Sequence, residues 1–145
     1  MPESILVPGP VDLFDRMRRH WMENTGGIAD ELADDAVIEI PFATEGTPRR
    51  LEGPEAIRRF TGPEQAAFAR QYRLEEIRNV VIHETADPGV IVVEYELTGT
   101  VVATGHRASS SFIGVLRARD GKVVLWREYQ NPLVMAEVAE RLRNG

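Results

Sequence analysis

The chain has no cysteine among its 145 residues, which excludes disulfides, Cys-ligated zinc, iron–sulfur centres and thiol nucleophiles. A chain without thiols fits a reducing compartment, and the expected location is cytoplasmic. No stretch approaches the roughly 20 apolar residues of a membrane span. The opening residues, MPESILVPGP, have neither the basic region nor the long apolar run of a signal peptide. Positive charge is also scarce: 17 Lys and Arg stand against 23 Asp and Glu, a formal net charge of −6. The basic residues are scattered, so neither nucleic acid nor a membrane surface is an expected partner. The three histidines, His20, His83 and His106, are far apart and show no metal-ligand spacing, so no metal is expected. There is no Gly-x-Ser-x-Gly elbow and no phosphate-binding loop, and no cofactor is expected.

What is present suits one domain over residues 1–145. A chain of this length buries roughly two-thirds of its unfolded surface, enough for a core with a pocket. Leu13, Phe14, Met17 and Trp21 fall at helical spacing and predict a helix over 11–24, ended by Gly26-Gly27. IADELADD (28–35) reads as a second short helix, and VIEIPF (37–42) alternates as a strand. ATEGTPRR then reads as a loop. Gly53 and Pro54 open a helix over 53–60, and 63–71 adds a turn or two. Strands follow at 72–84, 90–102, 107–119 and 122–129, with Gly99 as a possible bulge and Asp120-Gly121 as a two-residue hairpin turn. Asn131 caps a last helix that starts at Pro132. Helices first and a long antiparallel meander after them predict an α+β domain, its curved sheet covered on one face by helices.

Alternation assigns the faces. Ile91, Val93, Tyr95 and Leu97 form an apolar row that should meet the helices, as should Ala108, Ser110, Phe112 and Gly114. On the last strand Val124, Trp126 and Glu128 oppose Val123, Leu125, Arg127 and Tyr129. If Trp126 faces inward, Glu128 follows it. The outer face then carries Glu94, Glu96, Arg107 and Arg127 among apolar residues, which suits a homodimer interface or a solvated surface.

A carboxylate walled by apolar surface is desolvated, which raises its pKa. Tuned to roughly 6–7, such a group works as general acid or base near neutral pH. Glu128 is therefore the leading catalytic candidate, with a purely structural glutamate as the alternative. Tyr95 offers an inward hydroxyl that either stabilises an oxyanion or packs in the core. His106, at a hairpin end, is a candidate proton shuttle or an exposed turn residue. His83 and His20 read as surface or interface residues. Met17, Trp21, Ile40, Phe42, Ser110, Phe112 and Trp126 are the candidate pocket lining.

Two stretches, LADDAVIEIPFA (32–43) and GVLRARDGKVVLWREYQNP (114–132), resemble the NTF2-like, or SnoaL-like, superfamily. The closing REYQNP is similar to the same segment of phenazine-biosynthesis A/B-type proteins and SnoaL-like polyketide cyclase relatives. The resemblance implies a cone-shaped α+β domain holding a small apolar ligand, with an acid on the last strand where Glu128 stands. Ketosteroid isomerase-like relatives carry an aspartate just before the proline of the first strand; here Ile40 stands before Pro41. Limonene-epoxide hydrolase-like relatives carry an acid in a similar Trp-Arg-acid-Tyr context, together with charged residues on an earlier strand where Tyr95 and Leu97 occur. The resemblance thus implies a small-molecule-binding protein. It is either a cofactor-independent isomerase or cyclase acting on an apolar cyclic or polyketide-like substrate, or a non-catalytic binding or assembly module. A filled cone would leave a structural dimer.

Overall fold

The computed structural model describes residues 6–23 and 28–144. The expected helix stop at Gly26-Gly27 lies outside them. The first element, α1 (Pro10–Glu23), buries Leu13, Phe14 and Met17 on one stripe. Burying a side chain of this size stabilises the fold by about 1.5–3 kcal/mol.

Residues 28–35 do not form the expected helix. A single 3-10 turn, Ile28–Glu31, leads directly into β1 (Leu32–Glu39). Helical propensity in this acidic, alanine-containing stretch yields to strand pairing: Leu32 aligns with Val123 and Val37 with Leu125. β1 also ends early. Pro41 cannot donate to a ladder, and the Ala43 N–H bonds instead to the Ile40 carbonyl at 3.0 Å, closing a turn. The segment read as loop contains a short strand, β2 (Arg50–Glu52), antiparallel to β1.

Gly53, at φ 86°, caps α2 (Pro54–Gln71), with Pro54 in the first turn as the sequence suggests. The two helical pieces are one helix that runs through Gly62-Pro63. Pro63 lacks the N–H that would serve the carbonyl one turn earlier. In the same region the Thr61 hydroxyl donates to the Ile57 carbonyl at 2.7 Å.

β3 (Tyr72–Glu84), β4 (Val90–Val101), β5 (Arg107–Arg119) and β6 (Lys122–Tyr129) form the expected meander, and α3 (Pro132–Asn144) closes the chain. The sheet order is β2-β1-β6-β5-β4-β3. Because β1 lies parallel to β6, the sheet is mixed rather than wholly antiparallel. It is curved and unclosed, an α+β arrangement with three α-helices among the described residues. β3 carries two register shifts against β4, and such bulges bend a strand. A Cβ at Gly99 would lie 2.2 Å from the Arg73 carbonyl oxygen, so the glycine permits close approach of the bulged strand rather than forming the bulge itself.

A further bulge corrects the expected faces of β6. Arg117 pairs with Leu125 and Ala118 with Val123, leaving Val124 as the extra residue. Val123 is therefore fully buried, not on the outer face, and still shares the inner side with Trp126. Across that inner side, α1 lies against β3, β4, β5 and β6, while α2 packs against β1, β2 and β3.

Candidate active site

The centre of the inner face is built from rings. Phe14 and Trp21 project from α1, Tyr95 from β4, Phe112 from β5 and Trp126 from β6. Tyr95 stacks on Phe112 at 5.4 Å and lies 5.6 Å from Trp21, 5.9 Å from Phe14 and 6.3 Å from Trp126. Trp21 in turn lies 5.9 Å from Trp126 and edge-on to Phe14 at 6.2 Å. Tyr95 and Trp126 are 2% and 3% exposed, while Trp21 is only partly buried.

Trp126 has its place because residue 114 is glycine. A Cβ there would fall 2.0 Å from the indole Cη2. The β5 backbone at Gly114 is thus the floor on which the indole lies. Gly114 also pairs with Glu128, so the same local geometry seats both the ring and the acid.

Glu128 follows Trp126 inward. The Tyr95 hydroxyl donates to its Oε1 at 2.7 Å, and the Gln130 amide nitrogen donates to its Oε2 at 2.8 Å. Each carboxylate oxygen therefore has one neutral donor, and lone pairs remain for a third group. Burial first, then the charge of Glu128 and the hydrogen bond to it, push the Tyr95 phenol well above its ordinary pKa. Tyr95 keeps its proton and spends it on Glu128. The sequence left Tyr95 as either an oxyanion donor or a packed core residue; the ring is packed in the core and its hydroxyl is bonded to the Glu128 carboxylate.

The remaining candidates divide. Met17 is fully buried beneath α1, and Ile40 packs partly buried against the core. Ser110 is half-buried on the inner side of β5, and its hydroxyl oxygen is shielded with no hydrogen-bond partner among the described residues. Phe42 lies elsewhere: the turn after β1 carries it to Tyr129, 5.7 Å away, and leaves it 53% exposed. His106 is exposed in the turn before β5, with its N–H 3.3 Å from the Thr104 hydroxyl. Seven residue steps along β5, about 23 Å of strand, separate its neighbour Arg107 from Gly114 beside the acid. Gln130 was not singled out from the sequence. It stands two residues beyond Glu128, and continuing the strand's alternation past Tyr129 would have found it.

Among the described residues no group of three or more His, Asp or Glu side chains is placed to hold a metal. Among the described residues no helix is long and apolar enough to cross a membrane. A surface cleft of about 430 Å³ lies between α3, the end of α2 and the turn after β4, lined by residues such as Gln71, Ala103, Glu137 and Arg141. None of the inner-face residues borders it.

Comparison with known proteins agrees with this architecture. Residues 12–126 match the family model of a SnoaL-like domain. An uncharacterised Bacillus subtilis protein, YesE, is 36% identical over 108 residues, covering 74% of this chain and 71% of its own. An uncharacterised PhzA/B-like protein of Pseudomonas aeruginosa is 33% identical over 107 residues, covering 74% and 72%. The crystal structure of a "Putative Isomerase from Bacillus subtilis" superposes with a TM-score of 0.77 at 29% identity, covering 88% of this chain and 90% of that one.

Proposed function

The chain belongs to the SnoaL-like domain family, and from that premise we propose that it binds a small, largely apolar ring compound and moves a proton on it with Glu128. The observation that carries this reading is the 2.7 Å hydrogen bond from the Tyr95 hydroxyl to Glu128, with the Tyr95 ring packed against Phe14, Trp21, Phe112 and Trp126. A carboxylate with vacant lone pairs, held by two neutral donors, is the equipment of a general base. In an isomerisation or cyclisation, Glu128 takes a proton from carbon next to a carbonyl and returns it to a different atom. No oxidant, reductant or cofactor enters that balance. Tyr95 and Gln130 hold the carboxylate through both halves of the step. His106 is not part of this version of the site.

Two further features of the reading are a cytoplasmic location, supported by the absence of cysteine, and a homodimer formed through the outer sheet face. That face carries charged pairs, Arg78 with Glu96 and Arg127 with Glu39, around the exposed Ile113 and Val81.

The test uses 5-nitrobenzisoxazole as a probe. A base removes its ring C–H proton, the N–O bond breaks, and a coloured cyanophenolate forms. The expected outcome is a protein-catalysed reaction that Glu128→Gln slows by about 100-fold or more while the thermal unfolding curve stays in place. An equal rate in wild type and Glu128→Gln refutes the base.

A second reading, a non-catalytic ligand-binding or assembly module, is favoured by a specific observation: among the described residues the acid has one tyrosine and one amide as hydrogen-bond partners but no second acid or histidine. It predicts ligand binding without any reaction of the probe.

A further inference from the structure

The rings packed with Tyr95, whose hydroxyl meets Glu128, differ in how firmly they are held. Trp126 lies on the β5 backbone, where even one methyl at position 114 would collide with it. Tyr95 is anchored by its hydrogen bond to Glu128 and by Phe112 stacked at 5.4 Å. Phe14 is fully buried in the middle of α1. Trp21 alone of the five rings is only partly buried, and it projects from the last turn of α1, two residues before Glu23. It nevertheless lies against both Tyr95 and Trp126, at 5.6 and 5.9 Å, and so covers the ring whose hydroxyl meets the acid.

Resting on the reading of Glu128 as the ligand-facing acid, we propose that the Trp21 indole is the movable wall of the site, and that the ligand is a flat ring system of about indole size bearing an N–H or O–H. The ligand ring takes the place the indole occupies, against Tyr95 and Trp126. Exchange of one ring for another keeps the aromatic contacts and needs only rotation of a side chain at a helix end. The donor requirement follows from the acid. Tyr95 and Gln130 supply one hydrogen bond to each oxygen, and the lone pairs left on those oxygens accept from a further donor. A neutral ring with a single donor meets that demand; a ring with acceptors alone leaves it unmet. Trp21 thus sets which ligands enter, by size and shape, and Glu128 sets which stay.

Indole itself is the probe. Space opened by a large-to-small substitution in an apolar core takes up a ring of matching size. Trp21→Ala should bind indole at least tenfold more tightly than wild type by isothermal titration, and adding Glu128→Ala should cancel most of that gain. A folded Trp21→Ala protein with no gain overturns the movable wall, and a gain indifferent to Glu128 overturns the donor requirement. Should Trp21→Ala not fold, Trp21→Phe frees the space of one ring and is expected to change affinity in the same direction; an unchanged affinity there overturns the proposal equally. The two readings fail separately. A Glu128-dependent benzisoxazole reaction without indole binding to the Trp21 variants removes the wall and leaves the base. Tighter indole binding without that reaction removes the base and leaves the wall.

Discussion

A single missing methyl at residue 114 organises the candidate site. Gly114 lies opposite Glu128 and beneath the Trp126 indole, and nothing larger than hydrogen fits there. Gly114→Ala should push the indole off the β5 backbone and cost about 1–3 kcal/mol, the usual range for overpacking. Urea denaturation measures that cost. The same variant should disturb the near-ultraviolet circular dichroism of the aromatic group, because Phe14, Trp21 and Tyr95 all rest against Trp126. Unchanged stability would mean that the indole has another place to go. Sequence alternation placed Gly114 on the inner face and Glu128 beside Trp126. It could not show that the glycine is small for the sake of the indole, because that requires knowing which strands are neighbours. Phe42 illustrates the opposite case. Extending the alternation of β1 by three residues puts it inward, but Pro41 ends the ladder and the chain turns away toward Tyr129.

The elements at the edge of the sheet depend on side-chain ties. β3 has a strand neighbour on one side only, and its two bulges interrupt that ladder. Arg78 of β3 reaches the Glu96 carboxylate of β4 through two nitrogens, at 2.6 and 2.9 Å, and Asn79 adds a third donor at 3.1 Å. Hydrogen bonds from Arg78 and then Asn79 hold the Glu96 carboxyl below its ordinary pKa. A folded value depressed in this way gives stabilisation that is present above the unfolded value and is lost as pH falls through the folded one. Amide exchange along β3 should therefore lose protection toward acid pH. Glu96→Gln should flatten that dependence while leaving the protection of β5, between two strands, unaffected. Identical acid profiles in the two proteins would show that the tie carries no part of the edge. The bulges that shape this strand were not legible in the sequence, since the alternation of β3 mixes charged and apolar residues on both parities. The Asn131 cap was legible: its side-chain oxygen accepts the Leu133 N–H at 3.0 Å, as Asn-Pro before an apolar stretch suggests.

For the whole molecule, the outer sheet face is where the proposed second copy binds. Ile113 is 44% exposed at its centre, opposite Glu94 on β4 and Tyr129 on β6. Light scattering should give the mass of a dimer for wild type, and Ile113→Lys should shift it toward a monomer. The lysine would face Glu94 across the strands, so the fold itself should tolerate it. A wild-type protein that is already monomeric at micromolar concentration removes the dimer from the reading.

Local pattern in the sequence was enough to determine the α1 stripe, the β3–β6 meander, the Asp120-Gly121 turn and the shared face of Trp126 and Glu128. Each depends on neighbours in the chain or on a fixed period of side-chain direction, and such signals are written in consecutive residues. Tertiary structure alone decided that residues 32–35 are strand, that β1 runs parallel to β6, and that Val123 turns inward at a bulge. It also decided that the Tyr95 proton goes to Glu128. These outcomes depend on contacts between residues as many as 91 positions apart, as Leu32 and Val123 are. At such separations the pairing energy of the assembled sheet, not the preference of any one segment, selects the conformation.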